Sequence, residues 1–196
     1  MKSNIVSLTA EKPFDQDILA EVEKCAAYNS LSAKESLRLS LLAEELIGML
    51  PNLTQNYDGS FWVENDGKAY NLHVSLNAPV LSVEDMQKAI AVSTSGKNAS
   101  AVGLGGRIRF LIAKMTAPIS SNDLGVIYIS TPENGFVGDG LDTYSYAWTL
   151  DAYRHDISEK AEEWDELEKS VLAKLADNVI VGVKDSAINI TVSKKF

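Results

Sequence analysis

Cysteine is almost missing from this sequence. Cys25 stands alone among 196 residues, which excludes an internal disulfide and any cysteine cluster for a metal. It falls on the apolar face of an expected helix, where a buried, inert thiol is the simplest reading. Histidine is nearly as scarce: with His73 and His155 as the only two, a multi-histidine metal site is not expected. Positive charge is outnumbered. Eighteen Lys and Arg against 27 Asp and Glu leave a net charge of −9, which argues against a nucleic-acid partner and against attraction to an anionic membrane surface. No apolar run is long enough to cross a membrane, and Met1 to Ala10 lacks the core of a signal peptide, so a cytoplasmic location is expected. No segment repeats at a fixed period. What remains is a globular composition, 45% hydrophobic and 23% charged, long enough for one domain with a sizeable core and an appendage.

Periodicity supplies the elements in order. Ile18, Leu19, Val22, Cys25 and Ala26 recur at helical spacing between about Asp15 and Tyr28. Ser32 and Glu35 have the spacing of a capping box, opening a second helix that Pro51 should stop near Leu50. Its core face reads Leu39, Leu42, Leu46 and Met49, widened by Leu41 and Ile47, so either Glu44 or Glu45 should lie at the edge of the buried stripe. Phe61–Glu64 and Lys68–Leu76 read as strands joined through Asn65-Asp66-Gly67. In the second strand Tyr70, Leu72, Val74 and Leu76 face one way, while Asn71, His73 and Ser75 face the other. Ser82 and Asp85 cap a short helix. Gly125–Ser130 and Thr143–Leu150 follow as strands. A helix from Ser158 to Ala176, anchored by Trp164 and Leu167, and a hairpin of 178–184 with 187–193 close the chain.

Between them lies a polar, glycine-bearing stretch, Ser93-Thr94-Ser95-Gly96-Lys97-Asn98, then Gly103-Leu104-Gly105-Gly106-Arg107. It empties into an amphipathic helix running to about Met115. Such a junction leaves backbone N–H groups unpaired at the positive end of the helix dipole, which suits a phosphate. Gly96, Lys97, Asn98, Gly103, Gly105, Gly106 and Arg107 are the candidate ligand-binding residues. The same glycines serve equally as plain loop and cap chemistry.

The order helix, helix, hairpin, short helix, polar loop, glycine-opened helix, strand, turn, strand resembles that of the GHKL, or Bergerat-fold, ATPase domain. Sensor histidine kinases, DNA gyrase, heat-shock chaperones and MutL-type proteins share that domain. Ser93-Thr94-Ser95-Gly96 before Gly103-Leu104-Gly105-Gly106 looks like the kinase lid. Gly125-Val126-Ile127-Tyr128-Ile129 and Tyr144 to Leu150 look like the closing strands. The resemblance spans residues 30–150. It implies a two-layer α/β (α+β) sandwich, with helices on one face of a mixed, mostly antiparallel sheet. Residues 1–155 would form the Bergerat-like core. The segment 156–196 lies outside the resemblance: too small to be stable alone, its helix and hairpin should pack on the core, either extending the main sheet, covering the pocket mouth or forming a homodimer surface.

The resemblance also implies ATP or ADP as ligand, but key positions depart from it. Glu44 takes the acidic position of the second helix, and Gly48 stands where the family carries its Mg²⁺-holding Asn. The base-reading Asp-x-Gly-x-Gly is replaced by Leu76-Asn77-Ala78-Pro79-Val80. Losing a buried hydrogen-bonding group costs on the order of 1–3 kcal/mol, enough to weaken ATP binding by about ten-fold or more. No metal site is therefore assigned. Too little chain precedes residue 15 for a phosphorylated helical hairpin, so histidine kinase activity is not expected. Three readings follow: a regulatory or interaction module with a degenerate nucleotide site, working through a protein partner or a homodimer; an atypical ATP-binding protein, such as an anti-sigma-like kinase or small ATPase with Glu44 as general base; and a ligand-free structural protein.

Overall fold

The computed structural model describes residues 1–11, 16–53, 56–77, 108, 112, 146–151, 154, 170–184 and 187–196. The chain starts as a strand, β1 (Val6–Thr9), followed by helices α1 (Gln16–Tyr28), α2 (Ala33–Gly48) and the single turn α3 (Leu50–Leu53). Strands β2 (Asp58–Asp66) and β3 (Ala69–Asn77) come next, then β4 (Tyr146–Thr149), the short helix α4 (Val171–Leu175), β5 (Asn178–Lys184) and β6 (Ala187–Lys195).

Local chemistry sets the helix ends. α2 opens with the full capping box: Ser32 accepts from the Glu35 N–H at 3.4 Å and the Glu35 carboxylate accepts from the Ser32 N–H at 2.7 Å. α1 ends with Ser30 N–H donating to the Ala27 carbonyl and Leu31 N–H to that of Ala26, a Schellman closure with Ser30 at φ +52°. Pro51 does not end the helical run. It sits in the first turn of α3, where its missing N–H leaves no bond unmade. The expected helix 158–176 is interrupted: Ser170 is extended, at ψ 123°, and its hydroxyl accepts from the Ala173 N–H to start α4 afresh. Residues 158–169, with Trp164 and Leu167, lie outside the described residues.

The six described strands form one sheet in the order β1-β2-β3-β6-β5-β4, and every neighbouring pair is antiparallel. The expectation of a mixed sheet is thus corrected for these strands. The C-terminal hairpin occupies the sheet interior, with β6 beside β3 and β5 beside β4. The first hairpin turns through Gly67 and Lys68, because Asp66 pairs with Ala69, and Gly67 takes the positive φ (+55°) that a two-residue loop requires.

α1 and α2 pack on each other and cover one sheet face. Ile18, Val22 and Cys25 of α1 and Leu39, Leu42, Leu46 and Ile47 of α2 join Phe61, Val63, Tyr70, Leu72, Val74, Val181, Ile190 and Val192 in one core. Each such side chain contributes roughly 1.5–3 kcal/mol by leaving water. Ile108 and Ile112, four residues apart and both helical, are buried in the same core. Leu41, expected to widen the core face of α2, is exposed, and Ala43 is buried in its stead. No described helix is long and apolar enough to cross a membrane.

Gly59 sits on the core side of β2 between Leu8 and Leu76, and a Cβ there would collide with the Ser75 carbonyl oxygen and the Leu76 side chain. Gly59→Ala should destabilise the protein by about 1–3 kcal/mol, whereas Ser30→Gly, which relieves the positive φ, should stabilise it by up to about 1 kcal/mol. Chemical denaturation of the two variants checks both signs.

Candidate functional site

Two places on the described molecule gather polar side chains with chemical potential. The first is the outer face of α2. Both Glu44 and Glu45 are exposed there, which corrects the expectation that one lies at the edge of the buried stripe. The stripe is narrower than expected, because Leu39, Leu42, Ala43, Leu46 and Ile47 fill it. Gly48, one turn after Glu44, is also exposed, and a Cβ built on it would meet nothing within 4 Å. A larger side chain would therefore fit at that position. At the end of β3, Leu76 is fully buried in the core, and Asn77 is exposed with its amide 3.5 Å from the Asp58 carboxylate. The glycine-loop candidates Gly96, Lys97, Asn98, Gly103, Gly105, Gly106 and Arg107 lie outside the described residues.

The second place is the sheet face opposite the helices. Trp62 and His73 are cross-strand partners, and their rings stack at 4.9 Å with 12° between the planes. Lys2 also lies over the Trp62 ring, its Nζ 4.8 Å from the ring centroid, and forms an ion pair with Glu64 at 3.2 Å. Trp62 donates its indole N–H to Glu64 at 3.0 Å. On β6, the Thr191 hydroxyl lies 3.1 Å from His73 Nδ1. The other ring nitrogen, Nε2, is buried without a hydrogen-bond partner, 3.7 Å from Glu64.

Burial pushes the His73 imidazole below its ordinary range, more than the Glu64 carboxylate raises it. For Glu64 itself, burial pulls upward, but Lys2, the Trp62 N–H and His73 outweigh it and leave the carboxyl below its usual value. A hydroxyl, an imidazole and a carboxylate thus stand in line, like the groups of a nucleophile–base pair. The 3.7 Å gap between His73 and Glu64 exceeds hydrogen-bond reach, so the carboxylate does not orient the ring. The arrangement braces β2, β3, β6 and the N-terminal segment. Among the described residues no group of three or more His, Cys, Asp or Glu side chains could hold a metal ion.

Cys25 is buried, and desolvation raises its thiol above the ordinary range, the behaviour of an inert core thiol. Glu21 is buried on α1, where its carboxylate accepts from the Asn4 backbone and amide at 3.2 Å each and pairs with Lys24 at 2.6 Å. It thereby fastens the N-terminal segment to α1. The sequence reading missed the Trp62–His73 stack because joining the strands through Asn65-Asp66-Gly67 sets Glu64 opposite Lys68. In the two-residue turn Glu64 instead faces Asn71. A shift of this kind moves Trp62 to the other sheet face.

His73 makes stability depend on pH in a fixed direction. The unfolded imidazole takes a proton near 6.5, whereas the folded one stays neutral to lower pH. Stability is therefore full above that value and is lost as pH falls through it. His73→Gln should flatten the fall in thermal midpoint between about pH 7 and pH 5 relative to the parent, as differential scanning calorimetry would show.

No family model and no curated protein matches the chain.

Proposed function

We propose that this chain is an interaction module on a scaffold like that of the histidine-kinase-type ATPases, with a degenerate nucleotide site. The observation that carries the reading is Leu76. It stands where the family reads adenine with an aspartate, and it is fully buried among apolar side chains. A leucine accepts no hydrogen bond from a base amino group, and an aspartate placed in that core would be a desolvated charge. The bare Gly48 beside Glu44 supports the same reading, because the metal-holding amide is missing from a position with room for it. Two helices packed on one side of a sheet, with a β-hairpin following them, fit the expected scaffold.

The second reading, an atypical ATP-binding protein, rests on Glu44, which is solvent-accessible on α2 and open to work as a general base. Titration with ATP, ADP and Mg²⁺, followed by calorimetry and thermal shift, separates the two. A nucleotide at about a hundred times its Kd would add about 2.7 kcal/mol to stability, a shift of several degrees. The interaction reading predicts no saturable shift with any combination. Saturable, Mg²⁺-dependent stabilisation that Gly105→Asp abolishes would overturn it in favour of nucleotide chemistry.

A further inference from the structure

The exposed side of α2 has a pattern that the core does not explain. Lys34, Leu37, Arg38, Leu41, Glu44, Glu45 and Gly48 recur at steps of three and four, and all are exposed. They form one stripe opposite the buried Leu39, Leu42, Ala43, Leu46 and Ile47. Leu37 and Leu41, 61% and 37% exposed, form an apolar centre. Cations lie on one side of it and carboxylates on the other.

This charge order is wrong for a helix standing alone. Lys34 and Arg38 are like charges one turn apart, and they sit toward the positive end of the helix dipole. Glu44 and Glu45 sit toward its negative end. None of the four has an ion-pair or hydrogen-bond partner among the described residues. Each end of the stripe therefore lacks the opposite charge that the other end carries.

We infer that this face binds the same face of a second copy of the chain, the two α2 helices running antiparallel about a two-fold axis close to Leu41. In that arrangement Leu41 meets the partner's Leu41, with Leu37 of each chain one turn to either side. Arg38 opposes the partner's Glu44, Lys34 lies within a turn of the partner's Glu45, and the same contacts repeat on the other side, as an isologous interface requires. The helix dipoles also oppose each other. Gly48, with open space at its missing Cβ, lets the partner's first turn come close. Sixteen residues of helix span about 24 Å, so the contact is smaller than a standard interface, and the dimer is weak, micromolar and salt-sensitive. Such a dimer names the partner for the interaction reading above and rests on it in that respect. It would also cover Glu44 and Gly48.

Charge reversal tests the pairing. Lys34→Glu/Arg38→Glu makes the stripe wholly acidic, and Glu44→Lys/Glu45→Lys makes it wholly basic. All four positions are exposed, and circular dichroism verifies that both variants fold. In sedimentation equilibrium at about 100 µM and low salt, the parent chain should be dimeric. Each variant alone should be monomeric, its association weakened at least ten-fold, and an equimolar mixture should recover the dimer. A monomeric parent, a variant that dimerises like the parent, or a mixture that stays monomeric overturns the inference. The oligomeric readout needs no nucleotide, so its failure is distinct from a positive ATP titration.

Discussion

Nine residue pairs join β3 to β6, from Ala69 opposite Lys195 to Asn77 opposite Ala187, and the two-layer fold hangs from that seam. It is bought at long range: His73 and Thr191, in contact across it, are 118 residues apart in the chain. Closing so long a loop costs entropy that the contacts across the seam must offset. The return comes on both faces at once. Leu72, Val74 and Leu76 fall opposite Val192, Ile190 and Ile188 in the core, while Asn71 accepts from the Ser193 hydroxyl at 2.8 Å on the other side. A one-residue slip would reverse both faces.

Smaller ties hold the ends of the sheet to this seam. Phe196 lies edge-on to Tyr70, with ring centroids 5.8 Å apart, and its N–H donates to the Lys68 carbonyl. The Tyr70 hydroxyl in turn donates to the Cys25 carbonyl at 3.3 Å, linking sheet to helices. Arg154 donates to the carbonyls of Ala173, Ala176 and Asp177, fixing the passage from α4 into β5. Asp177 also binds Lys194 and the Lys195 N–H. At the other edge, Glu21 and Glu64 hold the N-terminal segment along β2. The polar side chains brought together on the described sheet are thus mostly structural ties, whereas the stripe on α2 has charges that nothing described satisfies.

Much of the architecture was legible from local pattern. The Ser32–Glu35 capping box, the alternation of Tyr70, Leu72, Val74 and Leu76, and the final hairpin each depend on neighbours within a few residues, and each is found as read. Features set by distant partners were not legible. β1 has four residues and only Leu8 fully buried, so it offers almost no alternation to detect. The extra turn α3, the break at Ser170 and the placing of β6 beside β3 all depend on tertiary packing. Leu41 departs for a related reason: it stands at helical spacing among core positions, yet it is exposed and belongs to a second face of α2. Of the candidate site, Glu44 can be judged as an exposed residue, while the glycine-loop candidates lie outside the described residues.

The C-terminal hairpin is part of the central structure, on which the helix-covered core and the α2 face both depend. Native-state hydrogen exchange on the intact chain tests this most directly. Amides of β3 and β6 should exchange together, at the free energy of global unfolding, with β2 close behind. Exchange of β5 and β6 at a markedly lower free energy, while β2 and β3 stay protected, would mean an appended hairpin and would contradict the account.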